Sequence, residues 1–106
     1  MATTQDYIEY VAEQVADLGV VRYRKMFGEY LLYVDERPIL LVVDNQVFVK
    51  ILPCLDELMR NAGRSKAYEG SAEHYILDIE ERDLVREVVG ELKKVVSIKK
   101  PKPKKK

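Results

Sequence analysis

One cysteine, one histidine and no apolar run approaching a membrane span bound this 106-residue chain before any motif is read. A bilayer crossing needs about 18 consecutive apolar residues, and nothing here comes near that, so no membrane partner is expected. A lone thiol, Cys54, closes no internal disulfide. The fold therefore does not depend on oxidation, a reducing cytoplasmic setting is expected, and the thiol is expected to be packed. The first twenty residues hold Asp6, Glu9, Glu13 and Asp17 and no Lys or Arg, the reverse of the basic start of a secretion signal. His74 stands twenty residues from Cys54, which matches no metal-ligand spacing. The five glycines are scattered singly, so there is no phosphate-cradling loop. No cofactor and no metal are expected, and the residue inventory points away from an enzyme. A nucleophilic reading would pair Cys54, just after Pro53, with His74. A buried thiol is the commoner fate of a single cysteine. Glu80 and Glu81 read as charges favoured at a helix start rather than as an acid/base pair.

What is present is a modest core and an uneven charge. With 47% hydrophobic residues the chain suffices for one domain, expected over 1–98. The formal net charge is zero, yet eight of the 18 basic residues are lysines between 93 and 106, a stretch without acids. That leaves ten basic residues against all 18 acids in 1–92, so an acidic body of about −8 carries a tail of about +8. Two prolines and five lysines close the chain as Lys-Pro-Lys-Pro-Lys-Lys-Lys, and 99–106 is expected to be a disordered tail.

Tyr7, Ile8, Val11, Ala12, Val15 and Leu18 recur at helical spacing and Gly19 follows as a stop, which predicts a first helix. From Val20 to Leu52 the period becomes two, with turn signals at Gly28, at Asp35 to Pro38 and at Asp44-Asn45. Strands are expected near 21–27, 30–35, 38–44 and 46–51. Pro53 with Leu55, Leu58, Met59 and Ala62 predicts a short middle helix ending at Gly63. Residues 64–73 read as an exposed loop, His74 to Ile79 as a last strand. Asp78, three before Glu81, suggests a capping box opening a helix with Leu84, Val85, Val88, Val89, Leu92 and Val96 on one face. The expected fold is α+β: a mostly antiparallel sheet of about five strands with an N-terminal, a short middle and a C-terminal helix.

The segment Arg24-Lys25-Met26-Phe27-Gly28-Glu29-Tyr30, followed by Leu32-Tyr33-Val34-Asp35, Leu40-Leu41-Val42 and Val47-Phe48-Val49-Lys50, resembles the N-terminal domain of the TfoX/Sxy family of bacterial competence regulators. The resemblance covers most of residues 5 to 92, and its most distinctive part is the Arg-Lys-Met-Phe-Gly stretch. It implies an α+β domain with no known catalytic activity and no cofactor, linked to transcriptional control of DNA uptake.

Two surfaces are candidates for function. Arg24, Lys25, Met26, Phe27, Gly28, Tyr30 and Tyr33 could form a partner-binding turn, or Met26 and Phe27 could simply fill the core while Gly28 supplies an unusual backbone angle. If Phe27 points inward, Arg24 lies on the other face and with Tyr30 or Tyr33 could form a cation–aromatic contact or an anion site. The runs Tyr30 to Val34 and Ile39 to Val43 are apolar on both faces, more than a half-solvated sheet requires, so something should cover the second face. A regulatory or adaptor domain that binds another protein, or a second copy, through the sheet face or an edge strand follows. The alternative is a nucleic-acid-associated protein binding phosphates through Lys99, Lys100, Lys102, Lys104, Lys105 and Lys106, with Lys93 and Lys94 leading into the run. A small-ligand carrier or enzyme would need Arg24, Tyr30 and His74 in one pocket.

Overall fold

A computed structural model describes residues 3–26 and 29–96, Met26 by its backbone alone. The first helix, α1 (Gln5–Gln14), starts at Thr4, whose side chain accepts the Tyr7 N–H at 3.2 Å, and buries Ile8 and Val11. It stops earlier than its apolar spacing predicts. From Val15 the chain tightens into a 3₁₀ turn, Ala16–Leu18, with Leu18 N–H on the Val15 carbonyl at 3.0 Å. This tightening brings Gly19 to the mouth of the first strand.

Six strands follow: β1 (Val21–Met26), β2 (Glu29–Val34), β3 (Arg37–Val43), β4 (Gln46–Lys50), β5 (Arg64–Lys66) and β6 (Glu73–Leu77). They form one antiparallel sheet in the order β1-β2-β3-β4-β6-β5. Asp35 and Glu36 (φ 52° and 67°) and Asp44 and Asn45 (φ 54° and 58°) turn the two central hairpins with positive φ at both positions, the geometry that matches strand twist. Asp and Asn tolerate this region without a glycine. Between Leu32 and Tyr33 the register shifts, because Leu32 faces Leu40 while Tyr33 faces Pro38. Ile39 is thus the extra residue of a bulge, which is how a central strand accommodates a proline. The bulge also turns both Ile39 and Leu40 to the core, so part of the two-sided apolar reading of this run is a local kink.

The expectation of about five strands is corrected to six, since Arg64–Lys66 pairs with β6 instead of lying in a loop. All three β5 residues are exposed, so no apolar pattern marks them. The short middle helix is corrected to a 3₁₀ turn, Pro53–Leu55, followed by irregular turns. Leu55 and Met59 are buried as their spacing predicts, with Met59 N–H on the Leu55 carbonyl at 2.8 Å. The last helix, α2 (Arg82–Val95), buries Val85, Val88, Val89 and Leu92. Burying each such side chain contributes about 1.5–3 kcal/mol. Its start is not a capping box: Asp78 accepts the Glu80 N–H on Oδ1 and the Glu81 N–H on its carbonyl, both at 3.0 Å, and no side chain caps Glu81. Both helices pack on one face of the sheet, around Leu32, Leu40, Val42, Val49 and Tyr75.

Candidate protein-docking surface

Alternation along each strand sorts the sheet into a core face and an open face. Tyr23, Tyr30, Leu32 and Val34 belong to the core side, which sends Arg22, Arg24, Leu31 and Tyr33 to the other. There Leu41, Val43, Phe48 and Ile76 form a second, smaller apolar cluster, and Ala67, just past β5, packs onto it. Ala67 covers one end only. Toward β2 a hollow of about 220 Å³ remains, lined among others by Leu31, Pro38, Leu41, Phe48, Lys50 and His74. His74 donates from Nδ1 to the Ala72 carbonyl at 2.8 Å and stands edge-on to Phe48, with ring centroids 6.3 Å apart.

Next to the hollow lies β1, one edge of the sheet. Arg22 is held: its Nε and Nη2 meet the Glu36 carboxylate at 2.9 to 3.2 Å, and its guanidinium lies 4.3 Å from the centre of the Tyr33 ring. This pairing raises the arginine pKa and lowers that of Glu36, since each charge is favoured by its partner. Arg24 and Lys25 are exposed and have no ion-pair partner among the described residues. The cation–aromatic pair therefore involves Arg22, not Arg24 as the sequence suggests, because Arg22 is the residue directly opposite Tyr33.

Of the residues singled out for binding, Arg24, Lys25 and Tyr33 line β1 and β2, while Tyr30 must be withdrawn. It is 4% exposed on the core side, where its ring meets Tyr23 edge-on at 5.5 Å. Phe27 and Gly28, with Lys99, Lys100, Lys102, Lys104, Lys105 and Lys106, lie outside the described residues, as does the side chain of Met26. Lys93 and Lys94 are fastened to the body: Lys93 reaches Asp35 and the Leu18 carbonyl, each at 2.8 Å, and Lys94 reaches Glu91 at 3.2 Å. The pocket that would join Arg24, Tyr30 and His74 does not form. Tyr30 faces the core, and Arg24 on β1 and His74 on β6 are four strand spacings apart, about 19 Å. Among the described residues no group of three or more His, Cys, Asp or Glu could hold a metal, and no helix is long and apolar enough to cross a membrane.

A feature that residue order did not reveal is the clamp around Asp35. Its Oδ1 accepts the Val20 N–H at 2.8 Å, its Oδ2 meets Lys93, and its own N–H goes to the Val20 carbonyl at 2.8 Å. The lysine and the backbone N–H hold the Asp35 carboxyl below the usual carboxylate range. A second hollow, of about 290 Å³, is bordered by Tyr7, Tyr10, Asp78 and Glu80. Burial and those two carboxylates raise the Tyr7 phenol pKa, and the 2.9 Å bond to Glu80 raises that of Tyr10.

Chemically the open face offers an apolar hollow with cations beside it. It is not a base-stacking platform, since Tyr33 and Phe48 are only 6% and 3% exposed and a base needs an open ring face. A model of the TfoX N-terminal domain family matches residues 13–80. A protein of Spirochaeta aurantia, described as an uncharacterized 12.7 kDa protein in the trpE 5' region, is 33% identical over 78 residues, which are 74% of this chain and 68% of the relative.

Proposed function

The chain belongs to the TfoX N-terminal domain family, and from that premise we propose that it is a regulatory adaptor domain that binds another protein on the open face of its sheet. The family is one of regulatory domains rather than a known enzyme family. A role in transcriptional control of competence-like processes, in a reducing cytoplasm, completes the reading. The observation that carries it is the hollow lined by Leu31, Leu41 and Phe48, with Lys50 at its rim and Arg24 opposite Leu31 on β1. Apolar contact supplies the affinity there, and the cations select an acidic partner. A second copy is a poorer occupant, because two such faces meet with like charge.

The test is a photo-crosslinking residue at Leu41, introduced in cells of the native host. One discrete adduct with a different protein, lost when Arg24→Glu is added, is the expected result. An adduct of twice the chain's mass would replace the heterologous partner by a homodimer, and no adduct at Leu41 would overturn the reading. A second reading, phosphate binding by the lysine run, is favoured by eight lysines without an acid between 93 and 106.

A further inference from the structure

In an antiparallel pair, alternate residues turn their N–H and C=O groups toward the neighbouring strand and the others turn them away. The Asp35 N–H bonds to the Val20 carbonyl, and the register pairs Val21 with Val34. Val20, Arg22 and Arg24 therefore direct their backbone groups to β2, and Val21, Tyr23 and Lys25 direct theirs outward. β1 is a terminal strand six residues long, whereas β5 at the other edge has three. No backbone bond joins Val21, Tyr23 or Lys25 to another element among the described residues. The β1 edge thus carries a run of open ladder positions.

Its side chains state what can fill it. On the open-face side stand Arg22, which Glu36 already holds, and Arg24, on the core side Val21 and Tyr23, and Lys25 follows at the end without an ion-pair partner among the described residues. This basic strip belongs to a body whose residues 1–92 carry about −8. If two copies paired β1 to β1 antiparallel about Tyr23, Arg22 would face the Arg24 of the other copy, and like charges directly opposite are unfavourable. Charge on an edge strand commonly serves to block self-pairing, and here it blocks a second copy while matching an acidic one.

We propose that β1 is a strand-addition site that takes an extended acidic segment of a partner protein, antiparallel, with its acidic side chains over Arg24 and, in exchange for Glu36, over Arg22, and small apolar ones beside Val21 and Tyr23. The inference rests on the protein-binding reading and specifies the partner's chemistry. Main-chain bonds to Val21, Tyr23 and Lys25 hold the segment, and the arginines set its register.

The probe is a labelled ten-residue peptide alternating glutamate and valine, titrated into the full chain. Residues directly opposite Val21, Tyr23 and Lys25 on the added strand are the valines, so the valine N–H groups point at β1 and the glutamate N–H groups point away. Methylating the valine nitrogens is expected to weaken binding by on the order of tenfold or more, since several ladder bonds vanish. Methylating the glutamate nitrogens should leave it within about twofold. On binding, the amides of Val21, Tyr23 and Lys25 should gain protection from hydrogen exchange while those of Arg22 and Arg24, already bonded to β2, stay as they were. Lys25→Pro removes one outward donor and is expected to weaken binding by severalfold to about tenfold, with Lys25→Thr retaining more of it. Should the proline variant fail to fold, the methylated peptides decide by themselves. Equal loss from both methylation patterns, uniform protection along β1, or no binding would overturn the proposal and leave the arginines as edge protection only. A crosslink at Leu41 without any of these peptide effects would retain the adaptor reading and remove strand addition from it.

Discussion

Gly19 and Asp35 constrain each other. Gly19 has φ 155° and ψ −168°, a backbone region that is nearly exclusive to glycine. A Cβ built there would meet both Asp35 carboxylate oxygens at 2.8 Å. Gly19→Ala therefore strains the backbone and displaces the carboxylate that holds Val20 N–H and Lys93, and is expected to destabilise by roughly 1–3 kcal/mol in urea unfolding. The same clamp gives a pH dependence. Asp35 has a folded pKa below its unfolded value, so its contribution is fully present above about pH 4 and is lost as pH falls through the folded value. Asp35→Asn should lower the melting temperature at neutral pH and flatten the acid side of the stability curve; identical curves for the two proteins would exclude this clamp as a source. Asp35 is legible in the sequence as a turn residue, and Gly19 as a helix stop. Their joint role with Lys93 is not, because it depends on three segments meeting where the helix layer crosses the first hairpin.

Elements with a strong period were legible, and elements made by pairing were not. The apolar stripe of α2 buries one face, and β2 to β4 are short apolar runs buried on both faces between turn signals, so the pattern carries the assignment. β5 has no buried side chain and exists because its backbone bonds to β6. The segment after Pro53 shows helical spacing at Leu55 and Met59, yet two buried anchors in one turn are satisfied by irregular turns as well as by a helix. Within α2, Gly90 is exposed and a Cβ there would meet nothing within 4 Å. Since glycine in a helix interior costs about 0.8–1 kcal/mol relative to alanine, Gly90→Ala should stabilise the protein by that amount in chemical denaturation. A loss of stability instead would mean that something unseen approaches the helix backbone at this point.

For the molecule as a whole, charge is distributed unevenly in space as well as along the chain. Residues 3–19 carry Asp6, Glu9, Glu13 and Asp17 without a Lys or Arg, on the helix side, while Arg22, Arg24 and Lys50 stand on the open side of the sheet. Lys93 and Lys94 are committed to Asp35 and Glu91, which leaves six lysines from 99 onward for phosphate. If these six are the nucleic-acid determinant, removing residues 99–106 should abolish retention on duplex DNA at low salt, and the intact chain's affinity should fall steeply as salt rises. Retention unchanged by the truncation would remove that reading.

The amino-acid order by itself determined the α+β class, the core faces of the two helices and central strands, the two hairpin turns and the split between acidic body and basic end. Each of these is a local matter of spacing, side-chain volume or charge, readable within a few residues. Only the tertiary structure decided that Tyr30 is core, that Arg22 rather than Arg24 pairs with Tyr33, that Ile39 is the extra residue of a bulge, and that β1 ends the sheet with its ladder open among the described residues. Facing and edge position depend on strand register and order, which are set by contacts between distant segments.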